Sequence, residues 1–559
     1  VTPARRMRRR GGTVLAITVV LGAGAILPAR VAGAGARPAG STAASTNASM
    51  EVPTAGGASP RPNVLFVLAD DLDLASLAAM PEVQRLVAAQ GATFDDYFVS
   101  NSLCCPSRAT TLTGRYAHNT GVQSNGGSNG GFRRAYVSKL EGSTIATRLR
   151  DAGYRTGLFG KYLNGYPDPA GKRYVPPGWT DWASPVAGSP YSEYKYTLNQ
   201  NGQLHAYGDT PADYGTDVYL GLARTFVEQS VGKDRPFFAY VAPFVPHLPA
   251  TPAPSDLGRF AGLVAPRTPS FDQPDVTGMP VLIRNLPRFT PAETAAIDTL
   301  YERRIESLQA LDRGVASLVD TLTSLGALRN TYVVFASDNG FHLGQHRLPA
   351  GKELPYDTDV HVPLVVRGPG IAAGTHVSEL TSNVDLAPTF AAMGGAARSR
   401  SFDGGSLLGL MRGHRSAAGT ATQAVLLEHW AQRRGGRLPS FVPFGGMLEP
   451  SDPDQTSSDD ARFHPTAIAE PVKGGTTPLL SDQTLYSSIV KIPDYVGVRT
   501  DRYLYVEYVN GDRELYDTVA DPDEMHNLAG TLPELEARLG ARVAAMRSCA
   551  GHGCRAALR

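Results

Sequence analysis

Cysteine is scarce in this chain. Its 559 residues hold four, grouped as Cys104-Cys105 and Cys549…Cys554. That excludes a disulfide-stapled scaffold. Excess charge is also missing: 53 Lys and Arg face 52 Asp and Glu, a net +1. No basic surface is available to hold nucleic acid, so no nucleic-acid partner is expected. An anionic ligand would have to be met by a few local cations. Beyond the N-terminus no apolar run is long enough to cross a bilayer, so no stable membrane association is expected. Internal repeats are absent. What remains is ordinary globular composition, 42% hydrophobic and 19% charged, long enough for a large core and more than one domain.

The N-terminus reads as a cleaved export signal over 1–34, with a single membrane anchor as the alternative. Arg5, Arg6, Arg8, Arg9 and Arg10 precede an apolar stretch, 13–27, and Ala32-Gly33-Ala34 offers a small-residue cleavage site. The segment 35–61 is rich in Ala, Gly, Ser and Pro and reads as a flexible linker. The expected location is secreted or extracytoplasmic. There, Cys549 and Cys554 are expected to pair, with a Cys/His metal site through His552 as the alternative. Cys104 and Cys105 are left over, because adjacent cysteines bridge each other only with strain.

Apolar runs of strand length alternate with helical patterns. Strands are expected at Asn63–Ala69, Arg155–Gly160, 236–244 and 331–336, and helices at 81–90 and 143–152. Thr290-Pro291-Ala292-Glu293 forms a capping box that opens a long helix ending near Leu325. This alternation predicts an α/β fold on a large mixed, mostly parallel sheet flanked by helices. The expected catalytic domain is 62–410. A C-terminal subdomain, 411–559, carries a hairpin at 496–508 in a smaller antiparallel sheet and an irregular insertion at about 435–481.

Open α/β sheets bind ligands beyond the carboxyl ends of their strands. Asp70-Asp71, Lys161, His247 and Asp338-Asn339 all follow expected strands, from four separate places in the chain. Adjacent carboxylates repel unless a cation or donors neutralise them, and hard oxygens suit Ca²⁺ or Mg²⁺. Taken singly, the Asp and Asn pairs read first as turn chemistry, Lys161 and Lys352 as surface lysines, and His247 as structural.

The stretch Cys104-Cys105-Pro106-Ser107-Arg108-Ala109-Thr110-Thr111-Leu112-Thr113-Gly114-Arg115 fits C-x-P-S-R-x-x-x-L-T-G-R without a mismatch. It resembles the signature of the sulfatases. Gly160-Lys161-Tyr162-Leu163-Asn164, the double Cys, and Ser337-Asp338-Asn339-Gly340-Phe341-His342 resemble the N-acetylglucosamine-6-sulfatases and extracellular endosulfatases in particular. The resemblance implies an alkaline-phosphatase-like fold. It implies that Cys104 is converted to formylglycine by a formylglycine-generating enzyme during maturation. It implies one divalent ion, Ca²⁺ with Mg²⁺ as the alternative, held by Asp70, Asp71, Cys104, Asp338 and Asn339. Arg108, Lys161, His247 and Lys352 then serve catalysis with Cys104, and Asp338 takes the nucleophile's proton. The implied reaction is hydrolysis of sulfate monoesters, aryl sulfates or sulfated sugars such as 6-sulfated N-acetylglucosamine. The alternatives are a phosphonate or phosphate ester hydrolase using the same nucleophile, and a non-catalytic binder of sulfated glycans. In one place the chain departs from the commonest family pattern. Where many sulfatases have Lys-Trp-His, it has Lys161-Tyr162-Leu163-Asn164, so the base for sulfate release is missing and His118 is a candidate for it.

Overall fold

The computed structural model describes residues 61–416, 422–433 and 491–559. The expected signal, all but the last residue of the linker, and the expected insertion lie outside the described residues. Within them, the strands of the first part are β1 (Asn63–Ala69), β2 (Ala92–Phe94), β3 (Tyr97–Phe98), β4 (Arg155–Gly160), β5 (Asp181–Ser189), β6 (Tyr194–Gln200), β7 (Gln203–Ala206), β8 (Phe237–Ala242), β9 (Thr331–Ser337), β10 (Leu364–Arg367), β11 (Thr375–Val377) and β12 (Thr381–Ser382). Those near the C-terminus are β13 (Val425–His429), β14 (Tyr495–Arg499), β15 (Tyr503–Tyr508) and β16 (Arg513–Asp517).

Ten of them form one mixed sheet in the order β11-β2-β10-β9-β1-β8-β4-β5-β6-β7. The block β9-β1-β8-β4-β5 is parallel throughout, while β10 and the β5-β6-β7 meander pair antiparallel at its flanks. All seven residues of β1 are buried. Val64, Phe66 and Leu68 face one apolar cluster, and Leu65, Val67 and Ala69 face the other. A strand covered on both faces needs apolar side chains at successive positions, which is why this run lacks alternation. One face is covered by the helices Cys104–Thr113, Ile145–Asp151 and Leu386–Met393, the other by Gly215–Val231 and Pro291–Ser324.

The long helix opens with the expected capping box. Glu293 N–H donates to Thr290 Oγ1 at 3.2 Å, and Thr290 N–H donates back to Glu293 Oε2 at 2.8 Å. The 81–90 segment differs from expectation: it is α-helical only over Pro81–Val83 and then widens into a π turn, Gln84–Ala88. β13-β14-β15-β16 make the smaller antiparallel sheet, and the helix Pro533–Met546 packs on it through Leu539, Val543 and Met546. Cys549 and Cys554 are disulfide-bonded, as expected, and the His552 metal alternative falls away with that bond. The small sheet touches the segment beside the strand ends: Tyr495 Oη donates to Glu353 O at 2.9 Å, and Asn101 Nδ2 donates to Glu428 O at 2.7 Å.

Candidate active site

The carboxyl ends of β1, β4, β8 and β9 lie side by side, and their trailing residues meet in one buried cluster. Asp70 and Asp71 follow β1, Lys161 follows β4, His247 lies five residues beyond β8, and Asp338-Asn339 follow β9. All are at most 4% exposed. Gly160 has φ +113, and a Cβ there would lie 2.0 Å from Ala242 O, so only glycine lets the end of β4 close on β8. Lys161 N–H then donates to Ala242 O at 2.7 Å, and its ammonium reaches Asp70 Oδ2 at 2.7 Å.

The cysteine motif forms a helix, Cys104–Thr113, on the other side of the cluster. It begins at Cys104 itself, so Pro106 is its third residue, still within the first turn, where a missing N–H leaves no intrahelical bond unmade. Gly114 ends it at φ +65, where a Cβ would sit 2.8 Å from the Phe402 ring. The two thiols diverge. Cys104 Sγ lies 3.5 Å from Asp70 Oδ1, 3.8 Å from Asp71 Oδ1 and 2.7 Å from Lys352 Nζ. Cys105 turns into the apolar cluster beneath, while its N–H donates to Asn125 Oδ1 at 2.8 Å. Ser107 donates its hydroxyl to the Asp338 carbonyl and accepts from Asn383 Nδ2. Arg108 Nε bonds Asp338 Oδ2 at 2.7 Å, Nη2 approaches Asp70 Oδ1 at 3.4 Å, and Nη1 donates to the Lys161 carbonyl at 3.1 Å. The Pro-Ser-Arg core of the motif therefore joins the helix start to the ends of β1, β4 and β9.

Three buried carboxylates, Asp70, Asp71 and Asp338, face three buried cations, Arg108, Lys161 and Lys352. Burial, the largest influence on Asp70, opposes its ionisation, yet Lys161, Arg108 and His247 together hold its pKa below the ordinary value. At Asp338 burial wins over Arg108 and the pKa is raised. Lys352 Nζ bridges Sγ and Asp71 Oδ1, the latter at 2.8 Å. His247 points Nδ1 at the Leu248 carbonyl, 2.7 Å away, and Nε2 at Asp71 Oδ2, 3.6 Å away.

A divalent ion fits these donors. Asp71 Oδ2 and Asn339 Oδ1 are buried acceptors with no hydrogen-bond partner among the described residues, an arrangement that costs free energy unless a cation takes it up. Ligand atoms of Asp70, Asp71, Cys104 and His247 converge within 4.8 Å of one another. Asp338 and Asn339 join through Asp71: Asp338 Oδ1 accepts the Asp71 N–H at 3.1 Å, and Asn339 Nδ2 donates to Asp71 Oδ1 at 2.7 Å.

The sulfatase family profile matches residues 62–396 of the chain, the span that holds this whole cluster. The chain belongs to the sulfatase family. It is a sulfuric ester hydrolase whose nucleophile stands at Cys104 beside a metal-coordinating cluster. Over 509 residues this sulfatase is 32% identical to human N-acetylglucosamine-6-sulfatase, covering 89% of this chain and 86% of the human one. It is 37% identical over 356 residues to the extracellular sulfatase SULF-1 homolog of Drosophila melanogaster, covering 63% of this chain and 31% of that one. A structure solved with its substrate D-glucosamine-2-N,6-O-disulfate superposes with TM-score 0.66 at 21% identity, over 87% of this chain and 97% of that chain. The sheet architecture is thus the alkaline-phosphatase-like one of that solved neighbour.

His118 does not suit the part of releasing base. Its Nδ1 is 2.7 Å from Glu428 Oε2 and its Nε2 is 2.9 Å from the Cys549 carbonyl, so both ring nitrogens are committed. Burial alone would depress its pKa, but the Glu428 carboxylate overrides burial and lifts it to about 9. A ring already protonated at neutral pH accepts no further proton. This pair ties β13 and the disulfide tail to the segment after the motif helix, and it makes a pH prediction. The folded pKa lies above the unfolded value of about 6.5, so the stabilisation is fully present below that value and is lost as pH rises through about 9. Melting temperature followed between those limits should fall more steeply for the native chain than for His118→Gln. Equal slopes would contradict the ion pair.

Two residues beside the cluster gave no signal in sequence. Tyr191, from the turn after β5, places its ring 4.6 Å from that of His247 and 5.0 Å from Lys161 Nζ. Arg304 lies inside a long charged helix pattern, in Glu302-Arg303-Arg304, where nothing distinguishes it from a surface residue. In the fold it is fully buried.

Proposed function

We propose that this sulfatase is exported, matures by oxidation of Cys104 to formylglycine, holds one Ca²⁺, and removes the 6-sulfate of an amino sugar. The observation that carries the substrate class is the near full-length match to human N-acetylglucosamine-6-sulfatase. The fold neighbour solved with a glucosamine disulfate supports it. No helix among the described residues is long and apolar enough to cross a membrane, and the formed disulfide suits an oxidising compartment. The catalytic unit is taken as 62–410 and the C-terminal subdomain as 411–559.

Asp70, Asp71, Asp338, Asn339 and the modified residue 104 would hold the ion. When bound, it supplies positive charge to the sulfuryl oxygens and acidifies the nucleophilic hydroxyl. Taking up the carboxylates would also free Lys161 and Lys352 to meet the ester's negative charge. One hydroxyl of the hydrated aldehyde gives its proton to Asp338, whose carboxylate Arg108 holds in place. Its oxygen forms the new bond to sulfur as the bond from sulfur to the alcohol oxygen breaks. Lys352 or His247 returns a proton to that alcohol. The second hydroxyl then passes its proton to whichever of Lys352 and His247 had protonated the alcohol, the carbon–oxygen bond to sulfate breaks, and the aldehyde is restored. Arg108 fixes Asp338 and the helix start throughout.

A desulfation screen over sulfated monosaccharides tests this reading, with nitrophenyl sulfate and nitrophenyl phosphate alongside. The expected result is turnover of N-acetylglucosamine 6-sulfate and nitrophenyl sulfate well above nitrophenyl phosphate. Chelation should abolish activity, and Ca²⁺ should restore it better than Mg²⁺. Preference for another sulfated position would overturn the substrate class, and preference for the phosphate would overturn the assigned chemistry.

A further inference from the structure

Asp71 carries a backbone φ of +65, in the left-handed region that Asp enters more readily than most non-glycine residues. The carbonyl of this residue is held by Arg304. This side chain rises from the middle of the Pro291–Ser324 helix and is fully buried. Its Nη2 donates to the Asp71 carbonyl at 2.6 Å and to Asp73 Oδ2 at 3.1 Å. Its Nη1 donates to the Pro246 carbonyl at 3.2 Å, the residue directly before His247. Its guanidinium lies 4.2 Å from the centre of the Phe341 ring, two residues beyond Asn339. A single planar fork therefore touches the loops after β1, β8 and β9, and those loops carry Asp70, Asp71, His247, Asp338 and Asn339.

We propose that Arg304 is the positioning residue of the metal cluster: by clamping three strand-end loops it sets the affinity for the divalent ion without touching ion or substrate. The geometry of a fixed fork is what makes this work. Two nitrogens in one plane hold the Asp71 and Pro246 carbonyls at a set separation, which a lysine ammonium on a flexible stem does not reproduce. With the Asp71 carbonyl fixed, its N–H stays on Asp338 Oδ1 and its carboxylate stays within reach of Lys352 and Asn339. Outer residues that orient ligands in this way typically change metal affinity or activity by about 10–100-fold when removed.

This inference rests on the metal reading above, and the experiment separates the two. CaCl₂ is titrated calorimetrically into the demetallated full-length protein and into Arg304→Lys, Arg304→Met and, as control, Arg313→Met. Arg313 sits on the same helix but is half exposed and pairs with Asp256, away from the cluster. The expected result is an unchanged Kd for the control and a Kd weakened by about 10-fold or more for both Arg304 variants. Their lost nitrophenyl sulfate turnover should return in excess calcium, with kcat recovering more than KM changes. Folded Arg304 variants that bind calcium like the native protein would overturn the proposal. So would failure of both to fold, which would assign Arg304 to the fold rather than the site. Absence of calcium binding by the native protein would instead overturn the metal reading.

Discussion

Cys104→Ala is expected to remove turnover of nitrophenyl sulfate, by at least about 10⁴-fold in kcat, because no other group in the cluster can form and then release a sulfuryl ester. The fold should survive. Cys104 is the first residue of its helix and contributes sulfur contacts to Lys352, Asp70 and Asp71. Lys352 keeps its ion pair with Asp71 when the sulfur is gone, so no buried charge is stranded. Cys105→Ala is the matched control. That thiol is buried in the apolar cluster, so its loss should cost about 1 kcal/mol of stability and leave most of the activity. The pair of variants is read by kcat and melting temperature together. Near-normal turnover in Cys104→Ala, or equal loss in both, would show that the nucleophile has been misplaced.

Lys352→Ala is the second large effect, an expected loss of about 10²–10⁴-fold. Its ammonium lies 2.7 Å from Cys104 Sγ and is fully buried between that sulfur and Asp71. If it protonates the departing alcohol, the loss depends on the leaving group. An acidic phenol departs without help, so nitrophenyl sulfate should suffer least and a sugar sulfate most. An equal loss on both would assign Lys352 to charge balance alone, and unchanged kcat on both would remove it from the mechanism. His247→Ala on the same two substrates shows which of the pair carries the proton.

Much of the sheet was legible because its central strands are local features. β1 and β4 have the boundaries expected, since a short apolar run between polar residues has few other ways to be buried on both faces. The long helix was legible from its capping box and period. The meander β5-β6-β7 was not: β5 carries Pro185 and Gly188, lies toward an edge and has register shifts, so its pairing depends on neighbours rather than on pattern. The convergence of Asp70-Asp71, Lys161, His247 and Asp338-Asn339 followed from a topological rule, because strand ends in a parallel block meet whatever lies between them in sequence. The direction in which each thiol points is set by tertiary partners, and the commitment of His118 to Glu428 and the Arg304 clamp by partners hundreds of residues away. No local pattern records them.

The most direct test is the mass of the peptide containing residue 104, taken from protein co-expressed with a formylglycine-generating enzyme and matched to its specific activity. The expected mass is that of an aldehyde, one oxygen in place of one sulfur and two hydrogens, with activity rising in proportion to the converted fraction. Full activity in protein whose residue 104 is an unmodified thiol would contradict the account.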